Sequence, residues 1–288
     1  MGLRTINEYK LSYDPQIMHA SHIYNAAGRK ALSEIYGQYL QVAEDFSLPI
    51  LLMSNTRRVS KDRIMNSPYK DKNVIKDYVD FLKEIASKYN CETHIGGYMG
   101  CKGDGYTGEN CLSCADAVDF HSWQVEKFAQ TDVDFLLVSL MPTTEETIGI
   151  ASLIEQTSLS YIVSFMIRES GHIPDGHTVH EAIAAVDDAT IKKPLCYMTN
   201  CIHPKILRNA LHESNSDLVK NRFKGIMANA AYLPPEKLDK LSETISSNAE
   251  TLADEIVRLN KDFGLKICGG CCGTDASHIR ELAKQLRK

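Results

Sequence analysis

The chain has 288 residues, 43% of them apolar, 24% charged and 8% aromatic, with nine cysteines and a formal net charge of −5. That length buries a sizeable core, that composition excludes disorder, and the acidic balance argues against a general nucleic-acid binder. No apolar run reaches the roughly 18 residues needed to cross a bilayer, and the opening MGLRTINEYKLSYD has no signal-peptide core, so a cytoplasmic protein with reduced thiols and no membrane partner is expected.

Apolar spacing predicts a helix through Leu32, Ile35, Tyr36, Tyr39, Leu40 and Ala43, followed by a buried strand over Pro49 to Asn55. A second helix carries Ile75, Tyr78, Val79, Leu82, Ile85 and Ala86, and Thr93 to Gly100 reads as a glycine-rich strand. A helix over Ser113 to Gln130 leads to the strand FLLVSL at 135–140. Thr143 and Glu146 stand at capping-box spacing for the next helix. The strand YIVSFMI (161–167), a helix over 178–189 and the strand LCYMTN (195–200) come next, and Pro204 opens a helix through Leu211. FKGIMANA (223–230) is a strand, helices fill 236–261 up to Gly264, LKICGG (265–270) is the last strand, and Asp275 to Leu286 closes the chain as a helix.

Seven strands alternate with helices, with an eighth, short or atypical, expected inside residues 1–12. Strands apolar on both faces and separated by helices imply a parallel sheet. Eight such units in roughly 250 residues is the size of a (β/α)₈ TIM barrel, an α/β fold, with an open doubly wound sheet as the alternative. No linker or repeat breaks the chain, so residues 1–288 are expected to form a single domain.

The sharpest motif is Gly269-Gly270-Cys271-Cys272-Gly273-Thr274. Adjacent cysteines hardly pair with each other, but both can reach one metal from a tight glycine turn. The turn lies between the last strand and the last helix, on the rim where parallel barrels build active sites. Cys201 ends the Thr199-Asn200-Cys201 strand, next but one to the last in an eight-stranded barrel. Three thiolates from two rim turns leave one tetrahedral position free, the mark of a catalytic zinc; incidental buried cysteines fit the spacing as well.

The GGCCGT turn, with the Asn-Cys strand end some seventy residues upstream, resembles the zinc-dependent homocysteine S-methyltransferase family. The likeness extends through GGYMGCKGDGY (96–106), DFLLVSLMPTTEE (134–146), SFMIRESGHIPDGHTVHEA (164–182), CYMTNCIHP (196–204) and KGIMANAA (224–231), in family order. The resemblance implies a barrel fold, zinc held by Cys201, Cys271 and Cys272, and Asn200, Ser139 and Gly270 as substrate-side residues. It implies small-molecule partners: an acceptor thiol such as homocysteine and a methyl donor such as S-methylmethionine or S-adenosylmethionine. A zinc-bound thiol is deprotonated by the metal's charge and would attack the methyl group in line. The N-terminus of the helix at Asp275 would add a favourable field. Two family features are missing. No Asp-Gly-Gly segment opens the chain, where Asn7 or Glu8 would stand instead, and Ser139 occupies the position of a strand-ending glutamate that binds the amino acid's ammonium. The acceptor is therefore open, as is a homo-oligomeric state. The rivals are a zinc-holding thiol binder without turnover, a subunit needing a methyl-carrier partner, and a CxxC oxidoreductase.

Other motifs are weaker. Gly103-Asp104-Gly105-Tyr106-Thr107-Gly108 fits GxGxxG but lacks the strand–turn–helix setting of dinucleotide binding. Cys111-x-x-Cys114, with Cys101, is either a second thiol cluster at a helix start or a set of loop thiols. Cys268-x-x-Cys271 resembles a redox pair, yet Cys268 lies within the strand. Cys91 and Cys196 read as packing residues, His172, His177 and His180 as loop and cap residues, His203 as a cap or a donor near the metal, and Trp123 as a packing residue.

Overall fold

The computed structural model describes residues 2–232 and 248–287. Seven parallel strands lie side by side in chain order: β1 (Ile50–Met53), β2 (Thr93–Gly100), β3 (Phe135–Met141), β4 (Ser160–Phe165), β5 (Tyr197–Ile202), β6 (Phe223–Ala228) and β7 (Ile267–Gly270). The helices are α1 (Gly2–Asn7), α2 (Ala26–Asp45), α3 (Lys61–Met65), α4 (Val74–Ala86), α5 (Cys114–Ala129), α6 (Thr144–Ile154), α7 (Val179–Ala189), α8 (Pro204–Glu213), α9 (Asp217–Arg222), α10 (Ala249–Phe263) and α11 (Ala276–Leu286). The first part of the helical stretch expected over 236–261 lies outside the described residues.

Local chemistry sets most of the boundaries. Asn25, Ser113 and Ser216 cap α2, α5 and α9 with side-chain oxygens, and Thr178 and Glu181 form a reciprocal capping box at α7. Gly264, at φ +67°, ends α10 in the left-handed conformation that glycine adopts without strain. The capping box expected at α6 does not form. Glu146 instead turns inward, accepts the Lys102 and Leu112 amides and pairs with buried His121 at 2.9 Å, while the Thr144 amide goes to Asp175. Tertiary partners have displaced the local pairing.

The sheet curls so that one face meets itself. Leu51 and Met53 of β1, Tyr98 of β2, Phe135 and Leu137 of β3, Ile162 of β4, Met198 of β5, Met227 of β6 and Ile267 of β7 share one apolar cluster. On the other face, alternate residues such as Leu136, Val138, Tyr161, Val163 and Tyr197 join the larger core beneath the helices. Period-2 alternation sorts the two sets, and two-sided burial accounts for the near-continuous apolar runs.

The eighth strand is absent among the described residues: Gly2–Asn7 is helical. Arg4 pairs with Glu8 one turn on, a contact that extended backbone cannot make, and also reaches Gln38 and Tyr39 of α2. As a result β7 bonds only to β6 and β1 only to β2. The helical layer nevertheless continues across this seam. α11 packs on α2, with Arg280 on Asp45 at 2.7 Å and Arg287 on the carbonyls of Phe46 and Ser47. Among the described residues no helix is long and apolar enough to cross a membrane.

Candidate metal centre

Strand alternation alone would send Cys201 the wrong way. Met198 faces the interior cluster and Tyr197 the helices, so Asn200 points inward and Cys201 outward. The register between β5 and β6 shifts between Asn200 and Ile202, and Cys201 sits at φ +62°, a left-handed conformation rare for a residue with a side chain. This bulge turns Sγ back beside Asn200, whose amide nitrogen lies 3.4 Å from it. Bulges commonly re-aim side chains next to active sites.

The other two sulfurs come from the turn after β7. The Cys271 amide donates to the Ala228 carbonyl at 2.7 Å, and the Cys272 carbonyl accepts from the Ala230 amide at 2.9 Å. Gly270 is required here, because a Cβ would stand 2.2 Å from the Thr274 hydroxyl. Asn229, fully buried at the end of β6, ties the two sources together. Its amide donates to the Cys201 carbonyl at 2.7 Å and its oxygen accepts from the Cys272 amide at 3.1 Å. The three sulfurs lie within 4.8 Å of one another, with Cys201 Sγ 2.8 Å from Cys271 Sγ.

These thiols resist ionising by themselves. A hydrogen bond with Cys271 favours the Cys201 thiolate, but Cys272 and burial outweigh it and push the thiol up to about 12. Cys271 is also raised, first by its hydrogen bond with Cys201. A soft cation relieves both obstacles, since a coordinated thiol is deprotonated outright. An all-sulfur donor set of this kind selects zinc or a similarly soft metal over magnesium or calcium, and the residues present fit that group.

Beneath the sulfurs lies a fixed polar network. The Asn200 oxygen accepts from Ser139 at 2.8 Å and from Ser164 at 2.5 Å, which orients its amide nitrogen toward Cys201. The Tyr98 hydroxyl lies 3.1 Å from that of Ser139. The N-terminus of α11 does not face the sulfurs with open amides: the Asp275 carboxylate takes the Ser277 and His278 N–H groups. The expected helix field is thus met by the chain's own carboxylate.

The remaining sequence candidates separate cleanly. The 103–108 glycine motif is a loop after β2 in which Asp104 accepts the Tyr106 and Thr107 amides, with no helix directly behind it. Cys101 and Cys111 hydrogen-bond to each other, which lowers the first thiol and raises the second. They do not form a three-ligand group with Cys114, and among the described residues only Cys201, Cys271 and Cys272 do so. Cys268 follows the inward-facing Ile267 on β7, so strand alternation turns it toward the helices, and it is not part of the three-sulfur group. His203 caps α8 by accepting the Lys205 amide at 3.3 Å, and burial lowers its pKa. His172, His177 and His180 bond to Ser170, Asp175 and Ser216 within loops and caps. The sequence reading missed Asn229, Tyr98 and Arg57. For Tyr98, period-2 spacing from the inward positions Gly96 and Gly100 was the available signal; for Asn229 there was none beyond its place after a strand.

A parallel, inward-curled α/β sheet brings three thiols together at one rim, and comparison with known proteins names the family. The family model for homocysteine S-methyltransferase matches residues 4–286, so the chain belongs to that family. A selenocysteine Se-methyltransferase from Brassica oleracea var. italica is 23% identical over 201 residues, 67% of this chain and 56% of that one. The chain therefore spans little more than half of that relative. Homocysteine S-methyltransferase 1 of Saccharomyces cerevisiae is 22% identical over 90% of this chain and 82% of its own length. Among solved structures, the metallated form of the homocysteine methyltransferase MmuM from Escherichia coli superposes with a TM-score of 0.78 at 16% identity, covering 99% of this chain and 94% of that one. At that identity the likeness is one of fold.

Proposed function

We propose that the chain is a zinc-dependent S-methyltransferase that moves a methyl group from an activated donor, S-methylmethionine, S-adenosylmethionine or a similar sulfonium, to an acceptor thiol of the homocysteine kind. The convergence of Cys201, Cys271 and Cys272 carries this reading. Zinc held by these three sulfurs would ionise the acceptor thiol and keep it nucleophilic at neutral pH. The chain's own groups do the positioning. Asn229 fixes the distance between the two ligand turns, and Gly270 allows the backbone of the second to run close to Thr274. Asn200 and Ser139 act from below, Ser139 holding the Asn200 amide toward Cys201. We read residues 1–288 as one cytoplasmic catalytic unit, a (β/α)₈-type barrel in which α1 replaces the first strand.

Metal analysis of the purified chain, paired with a mass-spectrometric screen of donors against thiols, tests the reading. One zinc per chain and methylated thiol are expected, with both lost in Cys271→Ala; full activity without zinc refutes it. Zinc and thiol binding without turnover would instead favour a subunit that depends on a methyl-carrier partner, and a redox-active disulfide without metal a thiol oxidoreductase.

A further inference from the structure

The loop after β1 carries two adjacent arginines, Arg57 and Arg58, both half-buried. Its backbone is rigidly held. Ser54, Thr56, Val59 and Ser60 are buried, the Thr56 hydroxyl donates to the Tyr98 carbonyl at 3.0 Å, and Gln124 donates to the Thr56 carbonyl at 3.0 Å. The arginines are therefore presented from a fixed platform.

Arg57 points into the mouth of the curled sheet. On β2, Gly96, Tyr98 and Gly100 alternate on the inward face, and a Cβ on Gly100 would meet Arg57 Cγ at 2.7 Å and Cδ at 3.0 Å. The arginine stem thus crosses the inner face at the C-terminal end of β2, directly above Tyr98. Its charge is felt at Tyr98, Cys101, Tyr106 and Cys201, the last being one of the three clustered cysteines. Among the described residues Arg57 makes neither a hydrogen bond nor an ion pair. Arg58 stands behind it, its charge opposed first by burial and then by Arg57 and Arg63. Asp104, whose charge favours the Arg58 cation, already accepts two loop amides. Two neighbouring cations sunk together without a bonded anion are costly unless something negative completes them.

Among the described residues no carboxylate hydrogen-bonds or ion-pairs with either arginine. Ser139, neutral where the family resemblance implies a carboxylate, has its hydroxyl committed to Asn200. Glu146 is spent on His121 and two amides. We propose that Arg57, supported by Arg58, is the anion-binding element of the acceptor site, so that this chain takes a thiol bearing an oxyanion and selects it for that charge, not for an ammonium. The inference rests on the thiol methyltransferase reading above and narrows its substrate class. A guanidinium fork matches carboxylate, sulfonate and phosphate alike.

Calorimetric titration of the zinc-loaded chain with matched thiols provides the test. The probes are homocysteine, γ-mercaptobutyrate (homocysteine without its ammonium) and mercaptobutanol (the same chain ending in an alcohol), with mercaptoethanesulfonate to separate sulfonate from carboxylate. Mercaptobutyrate is expected to bind as well as homocysteine and about tenfold or more tighter than mercaptobutanol. Arg57→Met should bring mercaptobutyrate down to the level of the alcohol while leaving the alcohol's affinity and the zinc content unchanged. Arg57→Lys, which keeps the cation for folding, should retain a reduced preference. Equal binding of acid and alcohol by the wild type overturns the inference, and so does a preference that survives Arg57→Met. Loss of zinc, or equal weakening of both thiols, in Arg57→Met would assign the arginine to the metal's charge and overturn it too. If no thiol binds the zinc-loaded wild type, the methyltransferase reading itself fails, a result distinct from binding without charge preference.

Discussion

The two sides of the curled sheet are covered very differently. All seven residues of β3 and all six of β5 are buried, whereas none of the four residues of β7 is, and on β1 only Leu52. The wall strands have bonded neighbours on both edges and helices behind them; β7 and β1 flank a seam with no strand between them among the described residues. The clustered cysteines come from both regions, Cys201 from the wall and Cys271 with Cys272 from the seam. The candidate metal centre thus bridges a fully buried half and a partly exposed one, and Asn229 hydrogen-bonds to a cysteine of each. Locally less protected segments are where binding sites are commonly placed.

The largest effect should separate two cysteines on one segment. Cys271→Ala is expected to lose stoichiometric zinc and turnover, while Cys268→Ala, three residues earlier on the helix side, keeps both; metal analysis and product formation read the contrast. If Cys268→Ala also loses the metal, the assignment of ligands by strand face is wrong. Next comes packing. Leu137 and Ile267 share the interior cluster, one on the wall and one at the seam. Leu137→Ala should cost about 3 kcal/mol of unfolding free energy and Ile267→Ala only about 1 kcal/mol, because the half-buried seam residue leaves a smaller cavity. Equal losses in denaturant titrations would abolish the distinction between wall and seam.

Asn229→Ala strands a carbonyl of Cys201 and an amide of Cys272. About 2 kcal/mol of stability should go, together with a roughly tenfold to hundredfold loss of metal affinity, measured by competition with a chelator. A variant that binds metal normally would show that these hydrogen bonds are dispensable. The smallest effect concerns the seam-side N-terminal segment, where His19 contacts His22 and Thr5. Burial, then the charge of His22, pushes His19 down to about 4. A depressed folded value means that its contribution to stability is fully present above the unfolded pKa of about 6.5 and is lost as pH falls through about 4. Melting temperature should decline across that window, less steeply in His19→Gln; identical profiles would remove His19 from the account.

Much of this organisation was legible in the chain. The seven described strands and their helices follow apolar periodicity, and caps such as Ser113, Thr178 and Gly264 fall where short-range chemistry puts them. The GGCC turn with Cys201 named three sulfurs that the fold brings within 4.8 Å of one another. What failed had tertiary causes. The first segment became a helix because Arg4 finds Glu8, Gln38 and Tyr39. The Thr143–Glu146 box yielded to His121 and two loop amides. Arg57 carried no signal in its own neighbourhood, because its significance comes from Gly100, which lies 43 residues away in sequence and across the inner face of the next strand.

Periodicity and turn chemistry within a few residues settle the seven described strands, the faces they bury and which thiols stand at strand ends. Tertiary contacts alone set the inward turn of Cys201, the seam in the sheet and the place of Arg57 over the inner face at Gly100. Each of those depends on groups far apart in the chain, meeting through a bulge, a missing ladder or the space above a glycine, and no local pattern encodes such a meeting.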